Sequence, residues 1–169
     1  MIPSKVFFTR GIGHANEKII SFENALREAQ ISRYNLVTVS SILPPQCKEV
    51  TVQEGNGLLS PGQIVYTVLS RITIENLTTS RPESMFASIG VAKPIDTTFY
   101  GYLGEYSGIN EDIDHVKKET CKLANKLLLS SRDDGEIECK TFEITAYTKL
   151  LSKTDYKYTT CIAAAVFIE

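Results

Sequence analysis

Val39-Ser40-Ser41-Ile42-Leu43-Pro44-Pro45 sets two adjacent serines between an apolar run and a diproline. Upstream, Tyr34 to Val39 alternates aromatic and β-branched residues in the manner of a strand. Downstream, the prolines cannot donate ladder hydrogen bonds, and each pushes the residue before it out of the helical region. The strand is therefore expected to end in a stiff turn near Ser41. A serine hydroxyl held in a strained turn can reach the preceding carbonyl carbon and exchange the peptide bond for an ester, provided the developing oxyanion is stabilised. Elimination from that ester leaves a dehydroalanine, which hydrolyses to a ketone. The same residues in an ordinary loop do no more than satisfy local backbone groups through their hydroxyls. The heptad alone leaves both readings open.

Outward from this segment, periodicity gives the remaining elements. Val6 to Thr9 reads as a short strand, Gly11-Ile12-Gly13 as a turn, and Phe22 to Ile31 as a helix with Phe22, Ala25, Leu26, Ala29 and Ile31 on its apolar side. Loops are expected at Glu54-Gly55-Asn56-Gly57 and Ser60-Pro61-Gly62. Strands follow at Ile64 to Glu75, Ser84 to Ala92 and Phe99 to Tyr106. From Glu111 to Ser131, apolar residues recur at helical steps, with Glu111, Asp112 and Asp114 at the positive N-terminal end and Arg132-Asp133-Asp134-Gly135 as terminator. Glu138 to Thr148 and Tyr158 to Ile168 close the chain as strands joined by a polar loop, Ser152 to Lys157. Two helices against many strands predict an α+β (α/β-like) sandwich, with mostly antiparallel or mixed sheets flanked by helices in a four-layer αββα arrangement.

Composition fits one domain over residues 1–169. At 169 residues and 43% hydrophobic, the chain can bury a core without disulfides or metals. A formal charge of −2 provides no basic field for nucleic acid, and Lys117-Lys118 reads as a solvated helix face. Cys47, Cys121, Cys139 and Cys161 are scattered without metal-ligand spacing, and are expected to be reduced thiols of a cytoplasmic protein. His14 and His115 likewise lack ligand spacing. No leader or membrane span is evident, and Asn76-Leu77-Thr78 is read as a chance sequon.

Several blocks, taken in order, resemble the pyruvoyl-dependent arginine decarboxylase family. They are Ser21-Phe22-Glu23-Asn24-Ala25-Leu26, Asn35-Leu36, the Ser40-Ser41 pair, Val91-Ala92-Lys93-Pro94, Gly101-Tyr102-Leu103-Gly104-Glu105-Tyr106-Ser107-Gly108, and the closing Cys161-Ile162-Ala163-Ala164-Ala165-Val166-Phe167. The resemblance implies self-cleavage between Ser40 and Ser41. That would give a β chain, 1–40, and an α chain, 41–169, whose first residue becomes a covalent pyruvoyl group. Neither pyridoxal phosphate nor a metal is implied.

The implied chemistry answers a real need. Decarboxylating an amino acid leaves negative charge on the α-carbon, for which ordinary side chains offer no electron sink. A pyruvoyl ketone, joined to the substrate amine as a Schiff base, provides one. By the resemblance, Glu105 returns the proton, Asn35 hydrogen-bonds beside the ketone, and Glu23 and Leu26 line the pocket for the substrate tail. Read from the residues alone, Glu105 is equally an exposed strand-end glutamate, Asn35 a turn residue, Glu23 a solvated helix residue and Leu26 core. A carboxylate suits a guanidinium because the two form paired, charge-assisted hydrogen bonds. This chain departs from the best-known members, which carry aspartate where it has Glu23. The extra methylene moves the carboxylate by about 1.5 Å, which keeps arginine in a shifted pose or favours a shorter basic amino acid.

Three functions are weighed. The leading one is conversion of L-arginine to agmatine and carbon dioxide, in polyamine biosynthesis or acid resistance, by a homotrimer of αβ units or a dimer of trimers. The second is a processing-defective homologue acting as a scaffold or regulatory subunit. The third, a serine hydrolase, lacks a Gly-x-Ser-x-Gly elbow and a serine-partnered histidine.

Overall fold

The computed structural model describes residues 2–76, 81–131, 137–150 and 155–169. The chain runs β1 (Lys5–Ala15), α1 (Lys18–Glu28), β2 (Asn35–Thr38), β3 (Ile42–Leu43), β4 (Lys48–Glu49), α2 (Val52–Gly57), β5 (Ile64–Glu75), β6 (Ser84–Pro94), β7 (Gly101–Ile109), α3 (Ile113–Ser130), β8 (Cys139–Lys149) and β9 (Tyr158–Ile168). Two mixed or antiparallel sheets result, a five-stranded one ordered β2-β5-β9-β1-β4 and a four-stranded one ordered β3-β7-β6-β8. They stack face to face, with α1 on the outer side of the first and α3 on the outer side of the second. This is the expected αββα sandwich.

Strand β9 shows how its sequence allows four layers. Ala164 packs with Phe7, Ala25 and Leu26 beneath α1, whereas Ala163 and Ala165 join Val68, Ile89, Val91 and Leu103 between the sheets. Small side chains on both faces let a helix and a sheet approach one strand at once. Fully buried Phe7 and Ile31 anchor the helix side, each burial worth about 1.5–3 kcal/mol.

Two readings of the sequence are corrected and a third is refined. Gly11-Ile12-Gly13 is no turn: β1 runs through it and pairs with β9 from Lys5 opposite Ile168 to Ala15 opposite Tyr158. The glycines serve packing, because a Cβ on Gly11 would lie 2.0 Å from the Ala25 carbonyl oxygen and one on Gly13 2.0 Å from that of Ser21. Glu54-Gly55-Asn56-Gly57 belongs to α2, closed at its start by a capping box in which Thr51 and Glu54 each satisfy the other's backbone amide. The stiff turn expected near Ser41 resolves into a bend at Ser41 and a hydrogen-bonded turn at Pro44 to Cys47, where Gln46 takes φ 58° and the Cys47 amide returns to the Pro44 carbonyl.

Helix α1 starts four residues before its expected beginning. Helix α3 is capped by Asp112, whose carboxylate accepts from the amides of Asp114 and His115, and it buries Val116, Thr120, Ala124 and Leu128 as its periodicity predicts. The expected terminator 132–135, the first half of the loop 152–157 and the end of the sequon 76–78 lie outside the described residues. No helix among the described residues is long and apolar enough to cross a membrane.

Candidate active site

The serine pair is where the chain changes sheets. Strand β2 forms one edge of the five-stranded sheet, parallel to β5, and the pairing ends as the Val39 amide donates to the Thr67 carbonyl at 2.9 Å. Strand β3 forms the edge of the four-stranded sheet, with Ile42 opposite Tyr102. Immediately before it, the Leu103 amide donates to the Ser41 carbonyl at 2.7 Å. The Ser40–Ser41 peptide bond therefore spans the step between the layers, with a ladder hydrogen bond gripping the chain on each side. Ser40 is exposed and Ser41 half-buried. Among the described residues, neither hydroxyl makes a hydrogen bond, so both are chemically available.

An apolar groove of about 480 Å³ opens beside this bond, walled by Val39, Ser40, Ile42, Pro44, Tyr66 and Phe167. The prolines predicted from sequence to stiffen the segment thus also shape the surface next to it.

Glu105 lies on β7, two residues beyond the amide that holds Ser41. Alternation along β7 sets its side chain: Leu103 faces the apolar space between the sheets, Gly104 faces Ala124 of α3, and Glu105 returns to the intersheet face. Strand β3 pairs only with Gly101 and Tyr102, so Glu105 stands on an uncovered stretch of edge. It reaches solvent, yet desolvation by its surroundings raises its pKa above the ordinary carboxylate value. A carboxyl so placed is biased toward the protonated form that a proton donor needs.

The other expected residues are placed differently. Asn35 starts β2, and its side-chain amide donates to the Gly62 carbonyl at 2.7 Å, tying down the turn at Ser60 to Gln63. Glu23 and Leu26 sit on α1, over the outer face of the five-stranded sheet, and within one chain they do not join the serine pair. Glu23 is solvent-facing and pairs with Arg27 at 3.1 Å. Leu26 is 8% exposed and packs with Phe7, Ala25 and Ile31, so in the single chain its core reading is the one realised, because it falls on the inner face of α1. No group of three or more His, Cys, Asp or Glu among the described residues is arranged to hold a metal ion.

A model of the pyruvoyl-dependent arginine decarboxylase family matches residues 5–169. The chain belongs to that family. It is 43% identical over 169 residues to pyruvoyl-dependent arginine decarboxylase 1 of Methanosarcina acetivorans, covering 99% of this chain and 97% of that one. It is 40% identical over 168 residues to pyruvoyl-dependent arginine decarboxylase 2 of Archaeoglobus fulgidus, covering 99% and 98%. A solved pyruvoyl-dependent histidine decarboxylase superposes with a TM-score of 0.49 at 14% identity, over 66% of this chain and 53% of that one.

Membership implies a covalent pyruvoyl group, and the residues here fit one. Residue 41 has a free hydroxyl from which formation of the group can start, and its half-burial and anchored carbonyl suit a fixed terminal keto-amide. The Leu103 amide and the step between sheets are parts of this site that sequence reasoning missed. A backbone donor has no residue-type signature, although Leu103 lies inside the Gly-Tyr-Leu-Gly-Glu block that carried the resemblance.

Proposed function

We propose that this chain is a self-processing amino acid decarboxylase that converts L-arginine to agmatine and carbon dioxide. One observation carries the reading: Ser41, unpaired at the step between the sheets, is fastened by its carbonyl to the strand that bears Glu105.

In maturation, Ser41 Oγ attacks the Ser40 carbonyl carbon, and the C–N bond breaks as the ester C–O bond forms. Removal of the Ser41 α-proton expels residue 40 as a carboxylate and leaves dehydroalanine. Water then displaces the nitrogen, which departs as ammonia. The grips at Val39 and Leu103 hold both sides of the reacting bond, which lowers the entropic cost of the attack.

The pyruvoyl group, once formed, supplies an electrophilic ketone and an electron sink for the departing carboxylate. The chain's own residues do the rest. Glu105, whose pKa desolvation raises, delivers a proton to the substrate α-carbon. Glu23, already paired with the Arg27 guanidinium on its own helix, presents a carboxylate of the kind that a substrate guanidinium requires. Leu26, one turn along the same helix, lines the same pocket. Asn35 holds the β2 end of the segment through Gly62.

Glu23 lies on another face from Ser41, which supports a site shared between chains; by resemblance to the family that unit is a homotrimer of αβ units, or a dimer of trimers, with Glu23 of one chain meeting Ser41 and Glu105 of the next. Exposed Val37, Ile42, Ile64 and Tyr66 beside the serine pair support a buried contact there. Four free thiols accord with a cytoplasmic enzyme, and agmatine with a role in polyamine supply or acid resistance.

Intact-mass measurement tests the reading: two chains divided at Ser41, the longer one lacking a free amine, are expected. Carbon dioxide release from arginine, lysine, ornithine and histidine, compared side by side, tests the substrate. An undivided and inactive purified chain would support the scaffold reading instead.

A further inference from the structure

The two sheets pack through apolar side chains, but a polar tie crosses between them at the open edge that carries Glu105. Ser70 of β5, 2% exposed, donates its hydroxyl to the Tyr106 carbonyl of β7 at 3.1 Å. Alternation explains the direction: Val68 and Ser70 face the intersheet space, while Val65 and Leu69 face α1. The same residue of β7 is held from the other side, where the Tyr106 ring meets Phe86 edge-on at 5.1 Å between centroids and its hydroxyl donates to Glu111 at 2.7 Å. Tyr106, the residue next to Glu105, is thus gripped from below at its carbonyl, in the peptide it forms with Ser107, and from above at its ring on the α3 side. No second strand pairs with β7 there, since β3 stops at Tyr102.

A buried hydroxyl at this point is costly unless it is hydrogen-bonded, and alanine or valine would pack the interior as well. We propose that Ser70 is a positioning residue for Glu105, fixing the height and orientation of its backbone at the exposed edge so that the carboxyl meets the substrate carbon. The proposal rests on the reading of Glu105 as proton donor. Charged and titratable neighbours do not offer an alternative route. Tyr66 shares the intersheet face of β5, Arg71 and Glu75 lie on the opposite face, Lys93 lies toward the far end of β6 beside Cys47, and Glu111, His115, Glu119 and Lys122 lie beyond the other face of β7. None contributes to the raised pKa of Glu105, which follows from desolvation alone.

The test compares Ser70→Ala, Glu105→Gln and the double variant. Ser70→Ala is expected to divide normally at Ser41 and to lose about 10-fold in kcat, with little change in KM; a 1 Å misplacement can cost roughly 100-fold. Its alkaline limb of kcat should move to lower pH, because a loosened edge admits water and relieves the desolvation. Added to Glu105→Gln, it should cost nothing further, since its effect passes through Glu105. Carbon-13 titration of the Glu105 carboxyl in the unprocessed Ser41→Ala protein gives a readout independent of turnover, and its midpoint should fall when Ser70 is also replaced. Unchanged kcat and titration in Ser70→Ala, or an equal loss in the Glu105→Gln background, overturns the proposal. Full turnover in Glu105→Gln alone removes the donor reading instead, a distinct outcome. If Ser70→Ala does not fold, Ser70→Cys, which keeps the volume and donates weakly, carries the same comparisons.

Discussion

The Leu103 amide donates to the Ser41 carbonyl at 2.7 Å, and this bond links the serine pair to the strand of the proposed proton donor. It leaves the Ser41 hydroxyl free while holding its backbone, an arrangement suited to attack on the neighbouring carbonyl. Ser41→Ala removes the nucleophile and leaves the β3–β7 pairing in place. The expected outcome is a folded, undivided chain with no decarboxylase activity, read by intact mass and by carbon dioxide release. Division at the same bond in that variant would end the maturation scheme.

Glu105→Gln should divide normally, because the glutamate acts after the ketone has formed, and should turn over about 100-fold more slowly, in the range typical of lost acid–base help. For the unaltered protein the sign of the pH effect follows from the raised pKa: the donor must be protonated, so kcat declines as pH rises through that value. The limb should be absent in Glu105→Gln. The same desolvation favours the neutral form in the folded state, so its contribution to stability is present at low pH and fades as pH climbs through the folded pKa.

Much of the fold was legible because particular residues could serve only one end. Ile64 to Glu75 and Tyr158 to Ile168 were read to their observed boundaries, since β-branched residues and closely spaced alanines suit pleated, doubly covered strands. The glycines of β1 misled because sequence displays a missing Cβ but not the helix whose backbone requires it to be missing. Helix α2 was masked by Gly55 and Gly57, although Thr51 and Glu54 spelled its capping box three residues apart. At the site, Ser41 and Glu105 carried a chemical signature, whereas Leu103 and Ser70 act through a backbone amide and one buried hydroxyl among many serines. Those roles exist only once Ser41 lies beside β7 and β5 is stacked on that strand.

Glu23 gives a prediction about recognition rather than rate. Its carboxylate already binds a guanidinium, that of Arg27, so substrate must compete with an exposed intrahelical pair worth only about 0.3–0.5 kcal/mol. A hydrogen bond to a charged group is worth about 1.5–3 kcal/mol, so Glu23→Gln should raise KM for arginine roughly 10- to 100-fold while kcat and division at Ser41 change little. Steady-state kinetics with arginine and ornithine would check it. An unaltered KM for arginine would remove Glu23 from the substrate pocket.

Division at Ser41 would leave β1, α1 and β2 joined to the remainder by no covalent bond, so retention of the short chain becomes a question of packing. Strand β1 pairs along its whole length with β9, and α1 lies directly on the glycines of β1. The two chains should therefore migrate together under native conditions and separate only on denaturation. Gly13→Ala tests the seam, since the added methyl carbon would sit 2.0 Å from the Ser21 carbonyl oxygen and 2.3 Å from the Ala25 amide nitrogen, both backbone atoms that cannot swing aside. Overpacking of this kind costs about 1–3 kcal/mol. Denaturant titration of Gly13→Ala in the undivided Ser41→Ala background should show that loss, and in the divided protein the same substitution should release the short chain at lower denaturant. Unchanged midpoints in both would mean that α1 can lift from β1 at little cost, and that the ladders of β1 to β9 and β4 and of β2 to β5 retain the short chain.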